Sequence, residues 1–575
     1  MSVSSTQDNK LVIYQLLPRL FGNINSTNKY YGTIEENSTG KFNDITDRAL
    51  QELAKLGITH IWFTGVIEHA TMTDYSAYGI IPDDPDVVKG IAGSPYAIKD
   101  YYDVDPDLAV DVKNRMGEYE ALIKRTHLNG LKVMMDFVPN HVARTYASDT
   151  KPAGVKDIGQ DDDKTKAFDV KNDFYYLPGQ SFVVPAGYNA GGDNFKSKLK
   201  DGRFDEYPAK VTGNNFYSPT PGLADWFETV KLNYGIDVLD NNSTHYDPPP
   251  PLWYKLYDIL NYWSAKGVDG FRCDMVENVP FEFWGWVIGK LKANYPNLIF
   301  IGEAYNIRDY RNYIFDGKFD YLYDKTGMFD AVRKLSTNQY GATVWDINNV
   351  WNNETSGIDQ HMLRFMENHD EQRVASNSYV GNARYAVPGM IVCTTLSNGP
   401  VMIYFGQEVG EPGDGIEGFG DNDGRTSIFD YWGVPEHQKW VNNGLYDGGQ
   451  LSADQKYLRA FYSKLFNAAR SNEALYAGKF YELLLANQYQ NNFNERIYLY
   501  MRYTDKQRIL VIASFDRNDQ NIHVNFPPEL LTWLDVSGAV TFTDLLTGTQ
   551  FGTKNIATMG LTITIAQMSG VLLNF

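Results

Sequence analysis

The segment Gly270-Phe-Arg-Cys-Asp274 ends an apolar run that begins at Val268, and it places an arginine and an aspartate two residues apart. Successive side chains of a strand alternate between its two faces, so Arg272 and Asp274 are predicted to point to the same side. Three other segments also put a carboxylate or histidine where an apolar run ends: Asp136-Phe-Val-Pro-Asn-His141, Ile301-Gly-Glu-Ala304 and Phe365-Met-Glu-Asn-His-Asp370. Because the C-terminal ends of the strands in a (β/α)8 barrel share one face, these segments predict a common active site on that face.

The rest of the chain repeats such apolar strands in alternation with helices, which favours a parallel α/β architecture. Predicted helices cover 47–56, 115–128 and 252–266, and a closing helix starts at Ser452, which forms a capping box with Gln455. Eight strands are predicted, the number that a TIM barrel requires. They cover residues 11–17, 58–64, 131–136, 268–274, 298–303, 319–323, 362–367 and 401–406.

Two stretches depart from the barrel pattern. Residues 144–247 are rich in Asp, Gly, Asn, Lys and Pro, which predicts a lobe inserted after the third strand. After about Ala477 short alternating strands follow one another, which predicts a C-terminal all-β sandwich domain without helices. The predicted domains are therefore a catalytic barrel formed by residues 1–143 and 248–476, the inserted lobe, and a C-terminal domain of residues 477–575.

Composition limits the classes of function that are open to this chain. Its 575 residues, 43% of them hydrophobic, can bury a large core. The formal charge of −19 repels phosphate backbones and no block of Lys or Arg interrupts it, so no nucleic-acid partner is expected. The most apolar stretch, 386–405, is broken by Pro388 and Pro400, so no membrane span is expected.

The start of the chain lacks the charged and apolar regions of a signal peptide. The compartment stays open, because a cytoplasmic protein and a processed periplasmic or secreted protein would share this feature. The oligomeric state is open as well.

The acidic residues of the four segments suit the cleavage of a glycosidic bond. Arg272 beside Asp274 is expected to keep that carboxylate ionised, as a nucleophile requires. Glu303 ends the next strand, and a second carboxyl close to an ionised one has a raised pKa, which suits a proton donor. Two carboxyls about 5 Å apart are typical of retaining glycoside hydrolysis through a covalent intermediate. Asp370 adds a third carboxylate, and His369 adds an imidazole for sugar hydroxyls.

These motifs, in this order and over nearly the whole chain, resemble those of the α-amylase family, also called glycoside hydrolase family 13. Further segments that resemble family motifs are Ile13-Tyr-Gln15, Gly57-Ile-Thr-His-Ile-Trp62, Asp100-Tyr-Tyr-Asp-Val-Asp-Pro106, Val230-Lys-Leu-Asn233 and Pro400-Val-Met-Ile-Tyr-Phe-Gly-Gln-Glu408. The resemblance implies that Asp274 is the nucleophile, Glu303 the general acid/base and Asp370 the stabiliser of the transition state. The residues implied to bind substrate are Tyr96 by stacking, Arg272 by orienting the nucleophile, and His141 and His369 by bonds to sugar hydroxyls.

Two positions depart from the family pattern. Ser94 stands where many members have a histidine, and Glu277-Asn278 stands where many amylases have a Lys-His pair. The histidine of that pair commonly gives a carbonyl to a structural calcium ion, together with the equivalent of Asn140. No cofactor is expected for the chemistry, and a structural calcium ion with Asn140 as a ligand stays open.

The expected function is retaining hydrolysis of α-1,4 bonds in starch-type glucans or maltooligosaccharides, which would be the partners of the protein. One alternative is a transglycosylase of the same family, in which a sugar hydroxyl instead of water resolves the intermediate. Another is a non-catalytic glucan-binding scaffold, and the presence of all three carboxylates argues against it.

Overall fold

The computed structural model describes residues 10–416, 422–490 and 493–575 of the chain. The first nine residues, on which the expectation about a signal peptide rests, lie outside that part. Eight parallel strands form the central sheet, and each lies inside a segment predicted from the sequence except the third, which ends one residue later than predicted. They are β1 (Val12–Leu16), β2 (His60–Phe63), β3 (Lys132–Phe137), β4 (Gly270–Cys273), β5 (Ile299–Gly302), β6 (Tyr321–Tyr323), β7 (Met362–Leu363) and β8 (Val401–Tyr404).

The sheet curls into a barrel in which neighbours in sequence are neighbours in space. Its order runs from β7 back through β6, β5, β4, β3, β2 and β1 to β8. Arg364, just after β7, closes the ring, because its amide donates to Pro400 O at 3.2 Å and its carbonyl accepts from the Met402 amide at 2.9 Å. The register pairs Arg272 of β4 with Asp136 of β3. The predicted TIM barrel is confirmed.

Two apolar layers hold the barrel together. Inside it, large side chains from neighbouring strands pack on one another, including Ile13, Trp62, Met134 and Met402. Outside it, helices cover the strands with their apolar faces. The main barrel helices are Asp47–Leu56, Arg115–Leu128, Pro251–Ala265, Phe281–Asn294, Tyr310–Phe315, Asp330–Ser336, Val387–Thr395 and Ala453–Ser471.

Local signals set where these helices begin and end. The first starts at a Thr46 cap that accepts from the Ala49 amide, and it ends at Gly57, whose φ of 105° suits only glycine without strain. The predicted closing helix is present as Ala453–Ser471, with the capping box between Ser452 and Gln455.

Strand β7 is shorter than predicted. The apolar run continues to Met366, yet the strand stops at Leu363. Glu367 accounts for the early end, because its carboxylate accepts from the Val374 amide at 2.6 Å and contacts Arg373 at 3.1 Å. The chain therefore turns into a loop, and this loop carries His369 and Asp370 to the active face.

A lobe follows β3, as predicted, and it contains little regular structure. Its longest ladder joins His141–Ala143 to Thr229–Lys231, which ties the start of the lobe to its end. Shorter antiparallel pairs join Tyr176–Leu177 to Ala209–Lys210 and Ile236–Asp237 to Ser243–Thr244. The boundaries 144–247 stay a prediction.

The C-terminal domain is built on antiparallel strands, so the predicted all-β domain is confirmed. A six-stranded sheet and a two-stranded sheet form it. Three short helices, Leu484–Asn487, Pro528–Trp533 and Ile556–Met559, interrupt the strands against expectation. The last two have recognisable starts, a proline at the first turn and an Asn555 cap. The strands are β9 (Lys479–Glu482), β10 (Ile497–Tyr503), β11 (Arg508–Ser514), β12 (Gln520–Val524), β13 (Val540–Asp544), β14 (Gln550–Thr553), β15 (Leu561–Ile565) and β16 (Ser569–Asn574).

None of the helices in the described ranges combines the length and apolar character that crossing a membrane requires.

Candidate active site

The predicted site residues converge at the C-terminal ends of the barrel strands. Asp274 directly follows β4 and Glu303 directly follows β5, while Asp370 lies in the loop after β7. A cavity of about 290 Å³ opens between them. The predicted residues that line it are Tyr96, His141, Asp274, Glu303, His369 and Asp370, whereas Arg272 and Asn140 lie behind its wall.

Arg272 joins the carboxylates behind this cavity and is 1% exposed. Its Nη1 lies 2.8 Å from Asp274 Oδ1 and 3.3 Å from Asp136 Oδ1, and its Nη2 lies 2.9 Å from Glu303 Oε2. Its Nε donates to the Tyr323 hydroxyl at 3.2 Å. A planar guanidinium can hold two carboxylates at once in fixed directions. Arg272 therefore sets the positions of both carboxyls predicted to react.

The protons of Asp274 and Glu303 prefer a different arrangement from the expected one. Burial and the charge of Glu303 raise the pKa of Asp274 well above its usual value, although Arg272 opposes them. Burial also acts to raise the pKa of Glu303, but the Arg272 charge and two hydrogen bonds bring it below the usual value. Those bonds come from the Met275 amide at 2.8 Å and the Tyr305 hydroxyl at 2.7 Å. When the two carboxyls hold one proton between them in the free site, that proton therefore lies on Asp274, because the hydrogen-bond donors surround Glu303.

Asp370 lies at the mouth of the cavity, where its side chain is 43% exposed. Enclosure in the pocket and the charge of Glu303 raise its pKa to about 7, against the lowering effects of Arg272 and Arg425. Its Oδ2 lies 3.1 Å from His369 Nε2. Asp370 can thus accept hydrogen bonds from a sugar that enters the cavity.

His369 is held as a neutral ring with a defined tautomer. Burial and the charge of Arg272 lower its pKa to about 3. The Gln15 amide group donates to Nδ1 at 2.8 Å, so Nε2 carries the proton. That Nε2 lies 2.6 Å from the Tyr96 hydroxyl, and the two rings stack with centroids 5.2 Å apart.

His141, which also lines the cavity, is neutral as well. Burial and the Lys231 charge lower its pKa to about 3. The side-chain amide of Asn140 donates to Nδ1 at 2.9 Å, which leaves the proton on Nε2. The ring of Trp226, whose centroid lies 5.4 Å from that of His141, lines the cavity beside it.

Comparison with known proteins agrees with this architecture. A family model described as the catalytic domain of alpha amylase matches residues 15–428, which include the lobe and the barrel strands from β2 to β8. The chain belongs to the α-amylase family. It is accordingly an enzyme of the glycoside hydrolase type, as are the family members that it resembles.

The similarity to individual family members is distant but spans most of the chain. Neopullulanase 2 of Thermoactinomyces vulgaris is 19% identical over 93% of this chain and 73% of its own length. Cyclomaltodextrinase of Thermoanaerobacter pseudethanolicus is 22% identical over 89% of this chain and 71% of its own. The crystal structure of a maltogenic alpha-amylase, AmyB from Thermotoga neapolitana, matches with a TM-score of 0.61 at 18% identity and covers 99% of both chains. That structural likeness shows a shared fold.

The contacts around Asn140 do not fit the calcium ion that the family resemblance left open. Its side-chain oxygen accepts from the ammonium of Lys231, and its nitrogen donates to Gly213 O at 2.9 Å. Lys231 also donates to the carbonyl of Asn278 at 3.0 Å. A cation at this point would need both oxygen atoms that Lys231 already uses.

A second group of oxygen atoms lies away from the cavity. Within the described ranges, Glu68, Asp100 and Asp103 are buried and offer carboxylate oxygens within 4.8 Å of one another. Asp100 already accepts from the Tyr102 and Asp149 amides, at 2.8 and 2.9 Å, among other donors. Asp103 is likewise paired with Arg115, whereas both carboxylate oxygens of Glu68 lack a hydrogen-bond partner among the described residues.

Ser94 and Glu277, two of the departures from the family pattern, support the backbone of the site. Ser94 lines the cavity, and its hydroxyl accepts from the Tyr96 amide at 3.3 Å. Glu277 accepts from the Tyr305 amide at 3.0 Å, which fixes the loop after Glu303. Both side chains therefore have a structural contact of their own at the positions where many family members have a histidine or a lysine.

Sequence reasoning assigned no role to several residues that the structure brings to the site. Gln15 and Trp62 were within recognised motifs at strand ends, which was the available signal. The indole of Trp62 donates to Asp136 at 2.9 Å. Tyr305 likewise stands two residues after Glu303. Trp226 gave no local signal, because the lobe sequence does not reveal which of its rings folds back over the barrel.

Proposed function

We propose that this protein is a retaining α-glucosidic hydrolase that cleaves α-1,4 bonds in starch-type glucans or maltooligosaccharides. The observation that carries the proposal is the single guanidinium of Arg272, which contacts both Asp274 and Glu303 beside a cavity that also contains Asp370. Two carboxyls held next to each other, with a third near the sugar, are what a double-displacement mechanism requires.

In the first step, Asp274 attacks the anomeric carbon while Glu303 gives its proton to the leaving oxygen. This step needs the shared proton on Glu303, although the free site favours Asp274. A glycosidic oxygen next to Glu303 accepts a hydrogen bond only from the protonated form, and the electron-poor anomeric carbon favours ionised Asp274. Substrate binding therefore supplies the free energy that shifts the proton between the two carboxyls.

In the second step, Glu303 acts as a base towards water, which releases the sugar from Asp274. The Arg272 contact favours ionised Asp274 as the leaving group. Asp370, His369 and His141 accept from or donate to hydroxyls of the sugar as its ring flattens, and such bonds strengthen in the transition state.

The proposal is tested with soluble starch and maltoheptaose as substrates. Asp274→Asn and Glu303→Gln each remove one reacting carboxyl with little change in shape, and we expect release of reducing sugar to fall at least about a thousandfold. Asp316→Asn, at the end of an outer barrel helix, is the control. Turnover close to that of the wild type in either active-site variant would overturn the mechanism.

Transglycosylation is the second candidate, and one relative favours it. The cyclomaltodextrin glucanotransferase of Bacillus licheniformis is 24% identical over 91% of this chain and 58% of its own length. Hydrolysis and transfer share the first step and differ in the acceptor that enters the second. A time course with maltoheptaose separates them, because products longer than the substrate form only by transfer.

A further inference from the structure

The ammonium of Lys231 lies at a junction between the inserted lobe and two active-site loops. Lys231 ends the lobe strand Thr229–Lys231, is directly paired with His141, and is 7% exposed. Its Nζ donates to the side-chain oxygen of Asn140, in the loop after β3. It also donates at 3.0 Å to the carbonyl of Asn278, in the loop after β4 that begins at Asp274. One amino group therefore holds together three separate segments, although burial lowers its pKa to about 7.

The contact of Lys231 with Asn140 reaches the cavity through one further hydrogen bond. With its oxygen held by the ammonium, the Asn140 amide must point its nitrogen the other way. That nitrogen donates to His141 Nδ1 and to Gly213 O, both at 2.9 Å. The tautomer and ring direction of His141 are thus set by the orientation of Asn140, which Lys231 fixes.

The acceptors around Lys231 are neutral oxygens. Among the described residues, the ion pairs recorded within 4.0 Å include none that joins Lys231 to a carboxylate. A divalent cation at such a point would lack the negative ligands that usually hold it, whereas an ammonium with three donors matches an amide oxygen and a main-chain carbonyl.

We propose that Lys231 is a positioning residue whose ammonium takes the structural place of a divalent cation at the junction of lobe and barrel. It holds Asn140 and Asn278, and through Asn140 it aligns His141 for the sugar. The inference rests on the proposed function for its kinetic consequences, but the replacement of a metal ion stands apart from it.

The metal part of the inference is tested on the wild-type chain without any assay of activity. The apparent melting temperature is measured after treatment with a chelator and then with added calcium. We expect the same value, within about 1 °C, in both conditions, because Lys231 already occupies the oxygens. A rise of several degrees with calcium that Asn140→Ala abolishes would overturn the inference.

The positioning part is tested with Lys231→Met, which keeps the length of the side chain and removes the charge. We expect kcat for maltoheptaose to fall about tenfold to a hundredfold with a smaller change in KM, since misplaced catalytic loops lower the rate more than binding. Lys210→Met is the matched control, because Lys210 is a lobe lysine that pairs with Glu206 away from the cavity. We expect that control to keep the wild-type kcat.

Rescue separates positioning from general loss of stability. In Lys231→Ala, added methylammonium can enter the space left by the side chain, and we expect it to restore part of kcat, while the same concentration of sodium ion does not. Wild-type-like kcat in Lys231→Met, or absence of rescue in a folded Lys231→Ala, would overturn the positioning role. A wild-type protein inactive on maltoheptaose would contradict the proposed function, and the melting experiment would still decide the metal question.

Discussion

The hydroxyl of Tyr305 donates a 2.7 Å hydrogen bond to Oε1 of Glu303. The other oxygen of Glu303 is held by the Met275 amide and Arg272. The charge of Arg272 and the two hydrogen bonds stabilise the ionised form of Glu303 and bring its pKa below the usual value, although burial opposes them. Glu303, which is expected to donate a proton, is therefore surrounded by groups that favour its ionised form. Tyr305 is one of them, so its hydroxyl helps to set the pKa of Glu303.

Replacing Tyr305 by Phe should strengthen the hold of Glu303 on its proton. The hydrogen bond to the carboxylate disappears, so the pKa of Glu303 rises. In the complex with substrate, where Glu303 holds the proton, that proton is then retained to higher pH, and we expect the alkaline limb of kcat to move up by about half to one pH unit. The measurement is a pH profile of kcat at saturating maltoheptaose.

Tyr500→Phe serves as the control for this shift, because it also removes the hydroxyl of a buried tyrosine, here one bonded to Thr395 far from the cavity. It should lower stability without moving the pH profile. An alkaline limb that stays at the wild-type position in Tyr305→Phe would show that Tyr305 does not control the acid.

Replacing Trp226 by Ala should weaken substrate binding. Trp226 lines the cavity beside His141 and holds a φ of 45°, in the left-handed region that costs a non-glycine residue about 1 kcal/mol or more. Such a strained position suits a ring kept for contact with the sugar. We expect KM for maltoheptaose to rise about tenfold with a smaller change in kcat, as the loss of one aromatic contact surface predicts.

Trp533→Ala, at an exposed position of the C-terminal domain, provides the comparison and should keep the wild-type KM. Unchanged KM in Trp226→Ala would mean that this ring only packs against the lobe.

Asp107→Asn should change how stability depends on pH. Burial and the neighbouring Asp105 raise the pKa of Asp107 to about 6, from a usual value of 3.8. The folded protein thus binds this proton more tightly than the unfolded chain, so the stabilisation is complete below about pH 4 and is lost as pH rises through about 6. The shift corresponds to about 2–3 kcal/mol.

Apparent melting temperatures between pH 4 and 8 measure this effect. The Asn variant lacks the titrating group, and its side chain can still meet the hydroxyls of Tyr75 and Tyr431, which lie 2.6 and 2.8 Å from Asp107. We expect its melting temperature to fall less with rising pH than that of the wild type. The control is Asp74→Asn, on the surface, whose melting temperature should depend on pH as that of the wild type does. If the Asp107→Asn variant also followed the wild-type curve, Asp107 would not titrate in this range.

Much of the fold could be predicted because its signals are local. The apolar runs that become strands, the capping box at Ser452 and the glycine at 57 each act through neighbouring residues. The end of β7 could not be predicted, because the apolar run favours a strand up to Met366. The contacts of Glu367 with Arg373 and the Val374 amide, six and seven residues along the chain, form only when the loop between them has folded, and the apolar run does not indicate them.

The protonation of the site illustrates the same limit. The pairing of Arg272 with Asp274 followed from strand alternation, and the structure contains it. The lowered pKa of Glu303 depends on hydrogen bonds from the Met275 amide and the Tyr305 hydroxyl, which come from different loops. Spacing in the sequence cannot rank such contacts.

The sequence by itself determined the barrel, the inserted lobe, the C-terminal β domain and the strand ends that carry Asp274 and Glu303, because these depend on side-chain periodicity and chain order. Only the tertiary structure decided which partners each group meets. It placed Lys231 of the lobe on Asn140, where the sequence left room for a calcium ion, and it gathered the Met275 amide, the Tyr305 hydroxyl and the charge of Arg272 on Glu303. Charges and hydrogen bonds act over a few ångströms in space, and those distances exist only after distant segments have packed together.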